Sequence, residues 1–234
     1  MRALVLVALA ACGDPPMHGT LFDPLFDGPH ATPVQACTVV VPSRHEQQLV
    51  DLRMIERSVL AGRLTETKTL AYLFAQPAEP WMAPWPFAAA RVASAARELA
   101  KAPDLGAACR RMPRLATACA QCHVDAHVAP NLVTPPPPED DVTDASRAAI
   151  HRWAVDRLWE GMISASDSPW QLGLAALADV PAPDAISGDR LMLAQHLQSL
   201  ARDQLGAPAS DVESRGAAYS TLLASCTSCH VAFR

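Results

Sequence analysis

Two pentapeptides, Cys119-Ala-Gln-Cys122-His123 and Cys226-Thr-Ser-Cys229-His230, share the pattern Cys-x-x-Cys-His, and each closes one half of an internal duplication. On a helix, positions i, i+3 and i+4 lie on one face, so two thiols and an imidazole at this spacing meet the same planar ring. The pattern is the attachment signature of c-type haem. The thiols take the two vinyl groups, and the histidine that follows supplies the proximal iron ligand. The chain is therefore expected to carry two covalently attached haem c groups, on Cys119 and Cys122 and on Cys226 and Cys229, with His123 and His230 on the irons.

Cys-x-x-Cys also occurs in thioredoxin-like redox pairs and in zinc knuckles. Neither use explains the two histidines. The paired cysteines of a four-cysteine zinc site usually stand about 15 to 20 residues apart, whereas 103 residues separate Cys122 from Cys226.

The N-terminal residues bear on where such chemistry would operate. Met1-Arg2 is a brief positive start, residues 3–11 are uninterrupted apolar, and Cys12 follows. The run is too short to span a bilayer and suits the apolar region of a secretory signal. The segment resembles a bacterial lipoprotein signal. That resemblance implies removal of residues 1–11, a lipid on Cys12 and, with Gly13 next, an outer-membrane protein facing the periplasm. Such an anchor tethers a protein to a membrane without making it span one.

Half of the residues are apolar, enough to bury a core, and the net charge of −5 argues against a nucleic-acid partner, which would call for a basic surface. Aromatic residues are only 5% of the chain. Small side chains favour helices and leave core volume that a haem can fill. Residues 12–41, rich in Pro, Gly and Asp, read as tether and lead-in, and the Pro-rich stretch 131–142 as a linker. Between these breaks lie two haem repeats, 42–130 and 143–234.

The repeats match at a constant offset of 107, since Leu105, Met112, Leu115 and Cys119 correspond to Val212, Tyr219, Leu222 and Cys226. This i, i+7, i+10, i+14 stripe is one buried helix face. The last helix of each repeat thus carries the haem motif. Ser210-Asp211-Val212-Glu213 reads as a capping box that opens the second copy, and Pro113 is expected to kink the first copy or restart it. Helical patterns at 43–62, 64–75 and 88–102, and at 143–164, 169–178 and 190–204, complete the set. The expected fold is all-α, with two tandem repeats that each approximate a small four-helix bundle.

Each repeat's first helix should offer something to the distal side of its haem. His45 precedes Cys119 by 74 positions and His151 precedes Cys226 by 75, so both are candidate distal iron ligands. Superposing the helix ends instead pairs His151 with Gln48. Met162 shares the face of His151 and is the alternative distal ligand in the second repeat, whereas Met54 points away from the face of His45. A lone histidine near a helix start is also common without any metal. The Trp-rich turn at residues 80–86 reads as packing over a haem edge.

The closing segment Cys226-Thr-Ser-Cys229-His230-Val-Ala-Phe233-Arg234 resembles class II cytochromes c, the cytochrome c′ type. That resemblance implies a four-helix bundle with its haem on the last helix. Members with an open distal site bind small gases, and those with a distal Met or His carry electrons. The first copy departs from the pattern, with Val-Asp-Ala126-His127 after His123. The expected function is one-electron transfer between redox proteins, without substrate chemistry of its own. The competing class is a gas-binding or peroxidase-type protein with one five-coordinate iron, and a haem-based sensor is a third.

Of seven cysteines, lipid takes Cys12 and haem takes four, which leaves Cys37 and Cys109. In an oxidising compartment they are either a disulfide that pins the lead-in to the first repeat or two separate buried thiols.

Overall fold

The computed structural model describes residues 44–76, 85–127, 130, 135–139, 143–182, 186–206 and 211–232. Residues 1–11, Cys12, Cys37, Trp81, Phe233 and Arg234 lie outside the described residues, as does the side chain of His45. All regular structure in the described residues is helical: α1 (Arg44–Leu60), α2 (Leu64–Phe74), α3 (Pro86–Ala100), α4 (Leu105–Asp125), α5 (Asp144–Ile163), α6 (Asp167–Asp179), α7 (Asp189–Leu205) and α8 (Val212–Ala232). None of these helices is long and apolar enough to cross a membrane. Contacts divide the chain at Gln47/Gln48. Of the first unit only the opening turn of α1 is described, and the second holds everything else.

Along the chain, α1 to α4 and α5 to α8 follow one another at similar spacings, α1 and α5 beginning 100 residues apart. α2 and α6, and α3 and α7, begin 103 residues apart, whereas α4 and α8 are 107 apart at both ends. A longer α7 and a longer connection after it take up the difference. Each motif helix opens on a side-chain cap: Asp104 Oδ1 accepts from Ala107 N at 2.6 Å, and Asp211 Oδ1 from Ser214 N at 2.8 Å. A carboxylate at such a position answers both an orphan amide and the positive end of the helix dipole; Ser210, the first residue of the expected box, lies outside the described residues. Thr143 caps α5 in the same way, accepting from Ser146 N at 3.1 Å.

Pro113 neither ends nor restarts α4, which runs unbroken through it. An interior proline costs a helix about 3 kcal/mol, but Met112, Pro113, Leu115 and Ala116 are all buried here. Tertiary packing of that face offsets the local penalty.

α4 and α8 pack against each other and run antiparallel. Leu105 and Val231 both stand at Gly62, Cys109 Sγ lies 3.5 Å from Thr227 Oγ1, and Thr117 Oγ1 is 3.0 Å from where a side chain on Gly216 would begin. As numbers rise on one helix, they fall on the other. A single apolar cluster runs through both sets, joining Leu52 and Ile55 of α1, Met112 and Leu115 of α4, Leu158 of α5 and Leu222 of α8.

A buried polar cluster ties the sets together. Glu56 on α1 is fully buried, accepts from Tyr219 Oη at 2.7 Å and pairs with Arg53 at 3.0 Å. Arg53 also reaches Asp156 on α5 and lies over the Trp159 ring. Burial pushes the Glu56 carboxyl above its usual range, against the pull of Arg53, the Tyr219 hydrogen bond and Arg57.

Candidate functional site

The second pentapeptide occupies the last two turns of α8, where Cys226, Cys229 and His230 share a face as the i, i+3, i+4 spacing requires. They line a cavity of about 430 Å³ whose remaining walls are mostly apolar, including Leu177 of α6 and Leu193 and Leu197 of α7. That volume is within the range of about 300 to 1,000 Å³ common to cofactor pockets. His151, two turns into α5, lines the same cavity. Burial, then the charges of His230 and Arg152, pushes its imidazole down to about 4. At neutral pH it is therefore uncharged, the form in which histidine ligates a metal. Arg147 and Arg152 are the cationic residues of the lining.

The first pentapeptide occupies the last turns of α4. Its His123 places Nδ1 2.7 Å from the carbonyl oxygen of Ile163, at the end of α5. That carbonyl belongs to the last turn of its helix and has no intrahelical donor. A carbonyl only accepts, so Nδ1 is the donor. A hydrogen bond from one ring nitrogen to a carbonyl is what orients histidines that ligate metals through the other. Beyond it, Asp125 pairs with Arg91 of α3 and accepts from Gln121 Nε2 at 2.8 Å.

The thiols distinguish between kinds of cysteine chemistry. Burial pushes Cys119 to about 12, with a further push from Cys122. Cys226 is also pushed to about 12, by burial first and then by the charge of Glu56. Burial raises Cys122 and Cys229 as well. A dithiol oxidoreductase needs the opposite, a thiolate favoured at a helix N-terminus. These cysteines sit at C-terminal ends, where the dipole disfavours negative charge. The antiparallel packing of α4 and α8 also holds the two pairs at opposite ends, so they do not surround one ion. Among the described residues, no group of three or more His, Cys, Asp or Glu side chains is gathered in a metal-binding cluster.

The remaining candidates are more scattered. Met162 is fully buried in the core, its Cε 4.0 Å from the Gly216 position, and it does not line the cavity that His151 lines. Met54 is 47% exposed. Cys109 is buried and donates to Thr227; its pairing with Cys37 falls outside the described residues. Trp85, the described tryptophan of the Trp-rich turn, precedes α3 and is partly exposed.

Sequence reading missed the Ile163 carbonyl, because a backbone acceptor has no residue-type signature. It also missed the Arg53–Glu56 and Arg157–Glu160 pairs, although their repetition at an offset of 104 was there to be found. Compared with protein-family models, curated proteins and solved structures, the chain finds no match.

Proposed function

We propose that this chain is a dihaem c-type cytochrome that carries single electrons between redox proteins. The observation that carries the reading is the apolar cavity that brings together Cys226, Cys229, His230 and His151. Its residues fit the group: two neutral thiols for attachment, one imidazole on the motif helix and another on α5, and apolar walls that exclude water. Arg147 and Arg152 suit the two carboxylates that a haem carries. At the first site, Cys119 and Cys122 are the attachment thiols and His123 the iron ligand, oriented by the Ile163 carbonyl. The two sets of four helices are then two haem-binding units, each with its motif on its last helix, and the walls from α5, α6, α7 and α8 support that view for the second.

When bound, haem c supplies reversible one-electron exchange at its iron, accepting an electron from a reduced partner and passing it to an oxidised one without atom transfer. The chain attaches and orients the ring, and its imidazoles and apolar walls set the environment of the iron. His151 is the proposed distal ligand of the second iron, since Met162 does not line that cavity, and His45 is the candidate for the first. A periplasm-facing, outer-membrane position with lipid on Cys12 completes the proposal. One observation favours the gas-binding class at the first site alone. The α1 and α5 ends, 103 residues apart, register His151 with Gln48 rather than with His45.

Intact mass and the pyridine haemochrome spectrum of the mature protein are expected to report two haem c groups, and a count of zero or one refutes the proposal. His151→Ala is expected to convert one low-spin haem to a high-spin form that binds carbon monoxide when reduced. A wild-type spectrum that is already fully high-spin excludes His151 and His45 as ligands and leaves the gas-binding class.

A further inference from the structure

Two haems in one chain can relay electrons to each other only if they come close, and the packing of the motif helices bears directly on that. Thr227, between Cys226 and Cys229, faces Cys109 in the early turns of α4. Thr117, two residues before Cys119, faces Gly216 in the early turns of α8. Each motif therefore lies beside the opening of the other motif helix. From Val212 to Cys226 is 14 residues, about 21 Å along a helix axis at about 1.5 Å per residue.

α5 supplies a second, independent ruler. Its His151 lines the cavity of the second motif, and its Ile163 carbonyl holds the histidine of the first. They stand twelve positions apart on one continuous helix, or about 18 Å. The described walls of the cavity come from α5, α6, α7, α8 and from Val180, Pro181, Ala182 and Ile186, with none from α1 to α4.

We infer that the chain keeps its two haem sites apart at opposite ends of the antiparallel α4–α8 pair, about 18 to 21 Å from each other along the helices, so that each haem keeps its own potential and its own spectrum. The inference rests on the haem reading above. It follows from the helix crossing and not from either site's ligands, so it holds whichever residue occupies each distal position.

The test compares the full-length wild type with Cys119→Ser/Cys122→Ser and Cys226→Ser/Cys229→Ser, each expected to retain one covalent haem. In redox titrations, the remaining haem should keep its wild-type ratio of oxidised to reduced form at a given potential within threefold, about 28 mV at 59 mV per tenfold for one electron. In the wild type alone, Soret circular dichroism should lack the paired positive and negative bands of two coupled rings. Its low-temperature EPR spectrum should be the sum of two isolated centres. Two haems with bisignate Soret bands, spin interaction or a larger potential shift would overturn the separation while leaving the haem reading intact. A wild type without two haems overturns the haem reading itself and this inference with it. The wild-type spectra decide the matter even if a double variant does not fold.

Discussion

Glu56→Ala is expected to lower the free energy of unfolding by about 3 kcal/mol, read as an earlier midpoint in urea. Glu56 is fully buried between α1 and α8, and its loss leaves the Tyr219 hydroxyl without its acceptor and Arg53 without its buried carboxylate. Arg53 keeps Asp156, which places the cost at the lower end of what breaking a buried pair entails. The pH dependence has a definite sign. Burial raises the folded-state pKa of Glu56 above the 4.5 usual for a glutamate, so the folded protein holds this proton more tightly than the unfolded chain. The contribution is fully present below about 4.5 and is lost as pH rises through the folded value. Glu56→Gln keeps an acceptor for Tyr219 and removes the titration. Urea midpoints from pH 4 upward should therefore decline more for wild type than for the Gln variant, and equal slopes would refute the assignment.

The second large effect is expected at Gly173, where α6 crosses α5. A Cβ there would lie 2.8 Å from both the Ala154 carbonyl oxygen and the Leu158 backbone nitrogen. Those are backbone atoms of α5, so the clash is relieved only by moving one helix against the other. Gly173→Ala should destabilise by about 3 kcal/mol, the upper part of the range for overpacking. Gly206→Ala is the matched control, since its nearest neighbours would be 3.8 Å away. Thermal midpoints that fall equally for both variants would show that the crossing tolerates a side chain. Because Ala154 is less than one turn from His151 on α5, the Gly173 variant should also disturb the cavity that His151 lines.

Much of the helical layout was legible because its determinants are local. The stripe of Met112, Leu115 and their counterparts Tyr219 and Leu222 follows the helical period, and all four are buried. Caps and breakers limited the helices: Asp104 opens α4, Gly206 follows α7, and residues 135–139 carry no helix. One local rule was overridden by tertiary contacts: Pro113 does not restart its helix, whose buried face holds it in place.

The sequence by itself determined that each Cys-x-x-Cys-His motif lies on one face in the last turns of a helix, and which face of each motif helix turns inward. Those properties depend on residue type and on spacing within one helix. Only the tertiary structure decided what the inward faces meet. An i, i+7 stripe is the same whether its neighbour runs parallel or antiparallel, so the crossing of α4 and α8, and with it the separation of the two motifs, has no signature along the chain. The Ile163 carbonyl at His123 is likewise a gift of packing, since every residue but proline offers the same backbone donor and acceptor and only the fold chooses which acceptor stands beside which imidazole.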